Sequence, residues 1–195
     1  MKNKDKKLEL IEIGTELIAV KGYNATGIDV ILKQAGVPKG SFYNYFRSKE
    51  DFGLAIIDQF ASQYDAKLSS FFDDYNVSPL NRMRNYFEHS LAHLTENQFT
   101  KGCLIGNLGQ ELADQNERFR ERLEVIFQSW KTRFSACLVE AQEQGELGSD
   151  FDPEALADFI LAGWEGSILR SKVMKSSESL KNFIDTLYLT VLRTT

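Results

Sequence analysis

Apolar residues recur at three- and four-residue spacing along nearly the whole chain, and only three prolines, Pro38, Pro79 and Pro153, interrupt its 195 residues. That period belongs to amphipathic helices, and Leu, Glu, Lys, Ala and Gln fill the intervening stretches with good helix formers. Few central strands are expected. The fold class predicted is all-α, in a chain long enough to bury a real core.

Punctuation divides the pattern into nine helices. Leu8, Ile11, Leu17, Ile18 and Val20 mark a first helix ending at Lys21-Gly22-Tyr23, and a second runs from Ile28 to Gln34 before Gly36, which supplies a turn that a β-carbon would resist. Val37-Pro38-Lys39-Gly40 then leads to a compact third helix around Ser41 to Phe46. Three short helices with a glycine turn between the last two form a helix-turn-helix arrangement. Ser48, with Asp51 three residues on, reads as a capping box opening a fourth helix to about Phe72. Ser78-Pro79 starts a fifth, with serine as cap and proline in the first turn, and it runs to about Glu96. A short sixth lies near Cys103 to Ala113, and a seventh carries Phe119, Leu123, Ile126, Phe127, Trp130, Phe134, Leu138 and Ala141 on one face. An eighth begins at Asp152-Pro153, its stripe read as Leu156, Phe159, Ile160, Gly163, Trp164, Ser167 and Ile168; a ninth follows Ser176-Ser177. The domain division expected is 1–53 for the three-helix head and 54–195 for a helical body.

The net charge of -5 excludes a surface that is basic throughout, but the charge is unevenly spread. Residues 1–53 hold nine basic and seven acidic side chains, which leaves 14 and 21 for the rest. A mildly basic head on an acidic body suits a protein that meets phosphates with one end. Cys103 and Cys137 make no disulfide framework, the charged opening is no signal peptide, and no apolar run is long enough to span a bilayer. A cytoplasmic protein without membrane partners is expected. No GxSxG, GxGxxG, P-loop or paired-carboxylate constellation appears, so an enzyme is the weaker class, as is an adaptor using its helices only for protein contacts.

The most informative stretch is residues 15–54, TELIAVKGYNATGIDVILKQAGVPKGSFYNYFRSKEDFGL. A recognition helix needs donors at its start and small residues where backbone meets phosphate, and Lys39, Gly40 and Ser41 fit that end. Phe42 and Phe46, four apart, face the head's core, so two or three of Tyr43, Asn44 and Tyr45 project outward. This stretch resembles the DNA-binding head of TetR-family regulators, with its G-x-x-x-T and its V-x-K-G-S-F-Y-x-Y-F-x-S-K-E-like block. The resemblance implies DNA contacts from Lys39, Ser41, Tyr43, Asn44, Tyr45 and Lys49. Gly27 departs from the Ser or Thr common at the start of the second helix, and Thr26 is the candidate to supply that hydroxyl. Lys49 stands in a first helical turn, where a cation opposes the helix dipole and a bound phosphate would explain it.

By the same resemblance the body binds an effector and pairs two copies into a homodimer, for which a palindromic double-stranded operator is expected. The eighth and ninth helices are expected to pair with their copies as a four-helix bundle, Gly163 and Gly166 allowing close approach. The segments Lys101-Gly102-Cys103-Leu104 and Gly163 to Lys172 resemble the NemR-type, electrophile-responsive repressors of this family. Cys103, near a helix start and after Lys101, is placed to favour thiolate and to react with electrophiles, with Lys172 as the partner the resemblance implies; the plain alternative is a small residue lining a pocket. Cys137 reads as a buried inert thiol. Tyr86, Phe87, His89, His93, Trp130 and Phe134 are candidates to line a pocket for an aromatic or hydrophobic inducer, the alternative being plain core and surface. His89 and His93 share a face, but no third ligand completes a metal site, and no cofactor is expected.

Overall fold

A computed structural model describes residues 2–192. Among the described residues there are nine α-helices and no strand: α1 (Lys2–Lys21), α2 (Ile28–Ala35), α3 (Lys39–Phe42), α4 (Lys49–Phe72), α5 (Pro79–Glu96), α6 (Leu104–Leu112), α7 (Glu117–Glu143), α8 (Pro153–Met174) and α9 (Glu178–Thr186). A single π-helical turn, Leu187–Val191, follows α9. The chain forms two compact units. The first runs to Tyr64 and takes in Cys103–Glu124; the second comprises Asp65–Gly102 and the chain from Val125 onward.

In the first unit, three phenylalanines close the centre of the head. Phe42, Phe46 and Phe52 are almost fully buried, with ring centroids 4.8 to 5.5 Å apart. Gly14 makes this possible, because a β-carbon there would lie 2.4 Å from the Phe52 ring. Gly36 ends α2 in the left-handed conformation at φ 63°, as the sequence led one to expect. Regular α3 is shorter and earlier than expected: it starts at Lys39, and after Phe42 the chain continues as turns, although the Phe46 N–H still reaches the Phe42 carbonyl at 3.1 Å. Ser48 caps α4 by accepting the Asp51 N–H at 3.0 Å. The Asp51 carboxylate turns instead to Arg47 and Arg118.

The second unit is organised by rings. Phe87 is fully buried against Trp164 (4.7 Å), Phe183 (5.6 Å) and Phe134 (5.8 Å), and Phe134 continues to Phe72 at 4.9 Å. Gly163 is where α9 closes in, since a β-carbon would stand 2.6 Å from the Phe183 ring. Gly163 therefore serves packing within the subunit, whereas a β-carbon at Gly166 would meet nothing within 4 Å.

The start of α5 is held from several sides. Arg82, 2% exposed, donates to the Phe72 carbonyl at 2.6 Å and pairs with Glu140 at 2.5 Å. Ser78 does not cap α5 with its hydroxyl; the Leu80 N–H is taken by the Glu146 carboxylate at 2.9 Å, from a residue 66 positions away. A distant acid thus satisfies an orphan helix donor that local sequence assigns to serine.

One stripe departs from its expected role. Phe159, placed in the core stripe of α8 by periodicity, is 57% exposed, and with it Leu169 (53%) and Val173 (76%). Ala155, Ala162 and Gly166 are also exposed, so Ala155, Phe159, Ala162, Gly166, Leu169 and Val173 form an outward apolar row alternating at four and three residues. A second apolar face on one helix leaves the period intact but widens it, which is why the two could not be separated by pattern.

Candidate nucleic-acid interface and effector body

The exposed side of α3 begins at Lys39 and Gly40, both solvent-facing, with Ser41 half-buried. Tyr43 (59% exposed) and Asn44 project outward, and Tyr45 is half-buried beside Phe46. Phe42 and Phe46 anchor the segment from beneath, so its polar edge has no core to serve. Beside it lies a hollow of about 220 Å³, lined by Gly27, Ile28, Asp29, Lys39, Tyr43 and Lys49. The N-terminus of α2 opens here: Gly27 offers no side-chain cap, and nothing lies within 4 Å of where its β-carbon would be. A helix start without a side-chain cap and the Lys39 and Lys49 ammonium groups favour an anion in the hollow, and the Asp29 carboxylate in its lining opposes them. Asp29, which sequence reading passed over, sits 2.9 Å from the Lys39 ammonium and raises its pKa through that hydrogen bond.

Two expected contacts have other employment. Thr26 is 1% exposed, and its hydroxyl donates to the Gly22 carbonyl at 2.6 Å, so it neither caps α2 nor faces outward. Lys49 donates to the Tyr23 carbonyl at 2.8 Å and lies 4.5 Å over the Tyr23 ring. Burial lowers the Lys49 ammonium below the usual lysine range, against the opposing pull of Glu111. A carbonyl and a ring thus explain a cation in a first helical turn without a phosphate.

The turn held by Lys49 is also held from α6. The Glu111 carboxylate accepts the Tyr23 N–H at 2.8 Å and the Asn24 N–H at 2.7 Å, and the Asn24 side chain donates to Gln115 at 3.0 Å. Asn116 donates to Glu50 at 2.9 Å while accepting the Phe119 N–H at 3.1 Å as cap of α7. Arg118 pairs with Glu50 and Asp51. The sequence held one clue to Glu111: an acid in the last turn of a helix opposes the dipole, so it is kept for what it grips.

Cys103 is the N-cap of α6, its sulfur accepting the Gly106 N–H at 3.4 Å, and it is 8% exposed. Lys172 is half-buried in the last helical stretch of α8. Cys137 is buried, donates to the Pro79 carbonyl at 3.1 Å, and has its pKa pushed up to about 12 by burial. That thiol is neutral at any physiological pH.

Of the pocket candidates, Tyr86, Phe87, Trp130 and Phe134 are buried in the second unit. His89 and His93 are not: both are exposed on the outer face of α5, with His89 5.2 Å from the Phe71 ring. Partial burial, then neighbouring Lys67, lower the His93 pKa. Among the described residues no group of three His, Cys, Asp or Glu side chains comes together to hold a metal ion, and no helix is long and apolar enough to cross a membrane.

Comparison with known proteins agrees with this geometry. Residues 10–56 match the family profile of bacterial regulatory proteins of the tetR family, and residues 79–187 match the tetracyclin repressor-like C-terminal domain. The chain is 42% identical to the transcriptional regulator AcuR of Cereibacter sphaeroides, over 91% of this chain and 81% of that protein. It is 39% identical to the transcriptional repressor DhaR of a Mycobacterium species, over 95% and 92% of the two chains. The crystal structure of reduced Escherichia coli NemR superposes with a TM-score of 0.86 at 29% identity, covering 98% of each chain. From its helix-turn-helix head to its helical body, the chain belongs to the TetR family of bacterial transcription regulators.

Proposed function

We propose that this regulator is a homodimeric repressor whose residues 1–53 hold a palindromic operator and whose body releases it when a small molecule, an electrophile in particular, reaches Cys103. The observation that carries the DNA-binding part is the polar edge of α3 beside the hollow at the start of α2. In this reading Tyr43, Asn44 and Lys39 meet base edges. Gly40, Ser41 and Tyr45 approach the backbone, and Lys49 acts indirectly, by holding the turn before α2 through the Tyr23 carbonyl. Lys39 exchanges Asp29 for DNA on docking.

The exposed row on α8 supports pairing with a second copy. Ala155, Ala162 and Gly166 share the row with Phe159, Leu169 and Val173 at the four-and-three spacing of a knobs-into-holes seam. Two copies related by a two-fold axis bury this row against itself and present two heads to a palindrome.

Release requires an effector that prefers the state whose heads misfit the operator. Cys103, 8% exposed, fits the sensor role because its sulfur caps α6 by accepting the Gly106 N–H, and an added group on sulfur removes that cap. The second reading is a reversible aromatic ligand among Tyr86, Phe87, Trp130 and Phe134, of which Tyr86, Phe87 and Phe134 are ring neighbours in the second unit. A gel shift on DNA flanking the gene, with and without N-ethylmaleimide, separates the two. Cys103→Ser is expected to bind normally and resist release, while Cys137→Ser responds like the parent. Release of Cys103→Ser at the same dose transfers the sensor role to the reversible ligand.

A further inference from the structure

We propose that Glu111, a residue outside the helix-turn-helix, is a positioning residue for operator recognition: its carboxylate fixes the turn that leads into α2 and thereby the pose of the α2–α3 pair.

Both oxygens of Glu111 are committed to backbone, Oε2 to the Tyr23 N–H and Oε1 to the Asn24 N–H. The turn is shaped to receive them. Gly22 stands at φ +85°, and a β-carbon there would lie 2.9 Å from Oε2, so only glycine permits both the turn and the approach. The Tyr23–Asn24 peptide unit is held at both ends, its N–H by Glu111 and its carbonyl by the Lys49 ammonium. An acid from α6 and a base from α4 thus bracket one turn by its N–H and C=O groups. The turn is continuous with the start of α2: Thr26 donates to the Gly22 carbonyl, and Gly27, the next residue, is the N-cap of α2. Beneath it, the Tyr23 ring packs edge-on to Phe119 at 5.1 Å, in space kept open by Gly53. Few degrees of freedom remain between the carboxylate and the first residue of α2.

The contacts are charge-assisted and half-exposed. They set an orientation more than they hold the fold, because the phenylalanine core of the head does not involve them. Simple electrostatics predicts the opposite outcome for their loss: removing a negative charge from the DNA-binding unit strengthens attraction to phosphates. A positioning role predicts weaker operator binding, so the sign of the effect decides.

The test uses the full-length protein without any inducer. Fluorescence anisotropy is measured on an operator duplex selected by the parent from a randomised pool, and on a random duplex. The variants are Glu111→Ala, Glu111→Gln and, from the other side of the contact, Gly22→Ala. Glu111→Ala is expected to lose about tenfold or more in operator affinity, the scale of one hydrogen bond to a charged group. Glu111→Gln, which keeps one acceptor oxygen, is expected to fall between it and the parent. Random-duplex affinity and the salt slope on the operator should stay at parental values, since Glu111 touches no phosphate. Operator affinity equal to or tighter than the parent's in Glu111→Gln and Gly22→Ala overturns the proposal, as does an equal loss on both duplexes. Should Glu111→Ala melt early, the other two variants decide. The proposal rests on the operator-binding reading alone, and failure of Cys103 as a sensor leaves it intact.

Discussion

Each of the two units has its own internal chemistry. In the second, a continuous set of rings from Phe72 through Phe134 and Phe87 to Trp164 and Phe183 packs at centroid distances of 4.7 to 5.8 Å. In the first, the head has its own small phenylalanine core, and the segment 103–124 ties to it and to α4 through carboxylates, amides and guanidinium groups: Glu111 on Tyr23 and Asn24, Asn116 on Glu50, Arg118 on Glu50 and Asp51, Arg122 on Asp58. Aromatic burial is short-ranged, intolerant of displacement and indifferent to salt. Half-exposed polar ties are individually weak and yield to salt, but they fix direction.

Phe87→Ala tests the aromatic half most severely. Removing a fully buried ring is expected to cost about 3–5 kcal/mol and roughly 10 °C or more in melting temperature, at any ionic strength. A loss below about 1 kcal/mol would show that the ring cluster is not the mainstay. Arg82→Met comes next. It keeps the apolar stem but strands the Phe72 carbonyl and Glu140, at an expected cost of about 2 kcal/mol in urea unfolding.

At the DNA face the contrast is between contact and tether. Lys39→Ala is expected to lose about tenfold on the operator and to relax its sequence preference. Asp29→Asn frees the same ammonium and is expected to tighten binding by about two- to threefold at low salt, fading as salt rises. Weaker binding by Asp29→Asn would mean that Asp29 holds Lys39 in its working position.

A smaller effect is expected from pH. The Cys137 thiol is raised from its ordinary 9.0 to about 12, so its contribution to stability is complete below pH 9 and is lost as the unfolded chain ionises above it. Between pH 8 and 10 the parent should lose about 1 kcal/mol relative to Cys137→Ser, read as a narrowing gap in melting temperature. A constant gap would place the thiol in water. The smallest change is expected from Arg118→Ala, which should shift the melting temperature slightly at low salt and not at all at high salt.

Much of this molecule is determined by the sequence alone. The helical period, the three prolines and the turn at Gly36 set the elements to within a few residues, because propensity, capping and periodicity act over one or two turns. The outward face of α3 was legible for the same reason: Phe42 and Phe46 are four apart, and whatever lies between them at the surface must point away. Only the tertiary structure decided which distant group meets which backbone. Glu146 displaces Ser78 as the cap of α5, Glu111 claims the turn before α2, and Lys49 finds the Tyr23 carbonyl. Periodicity could not divide α8 between two apolar faces either, since it reports that a residue is apolar and at the right spacing, not whether a neighbour from the same chain covers it. Phe159 and Trp164 look alike in sequence; one is exposed and the other is buried, because Phe87 of α5 and Phe183 of α9 pack against Trp164.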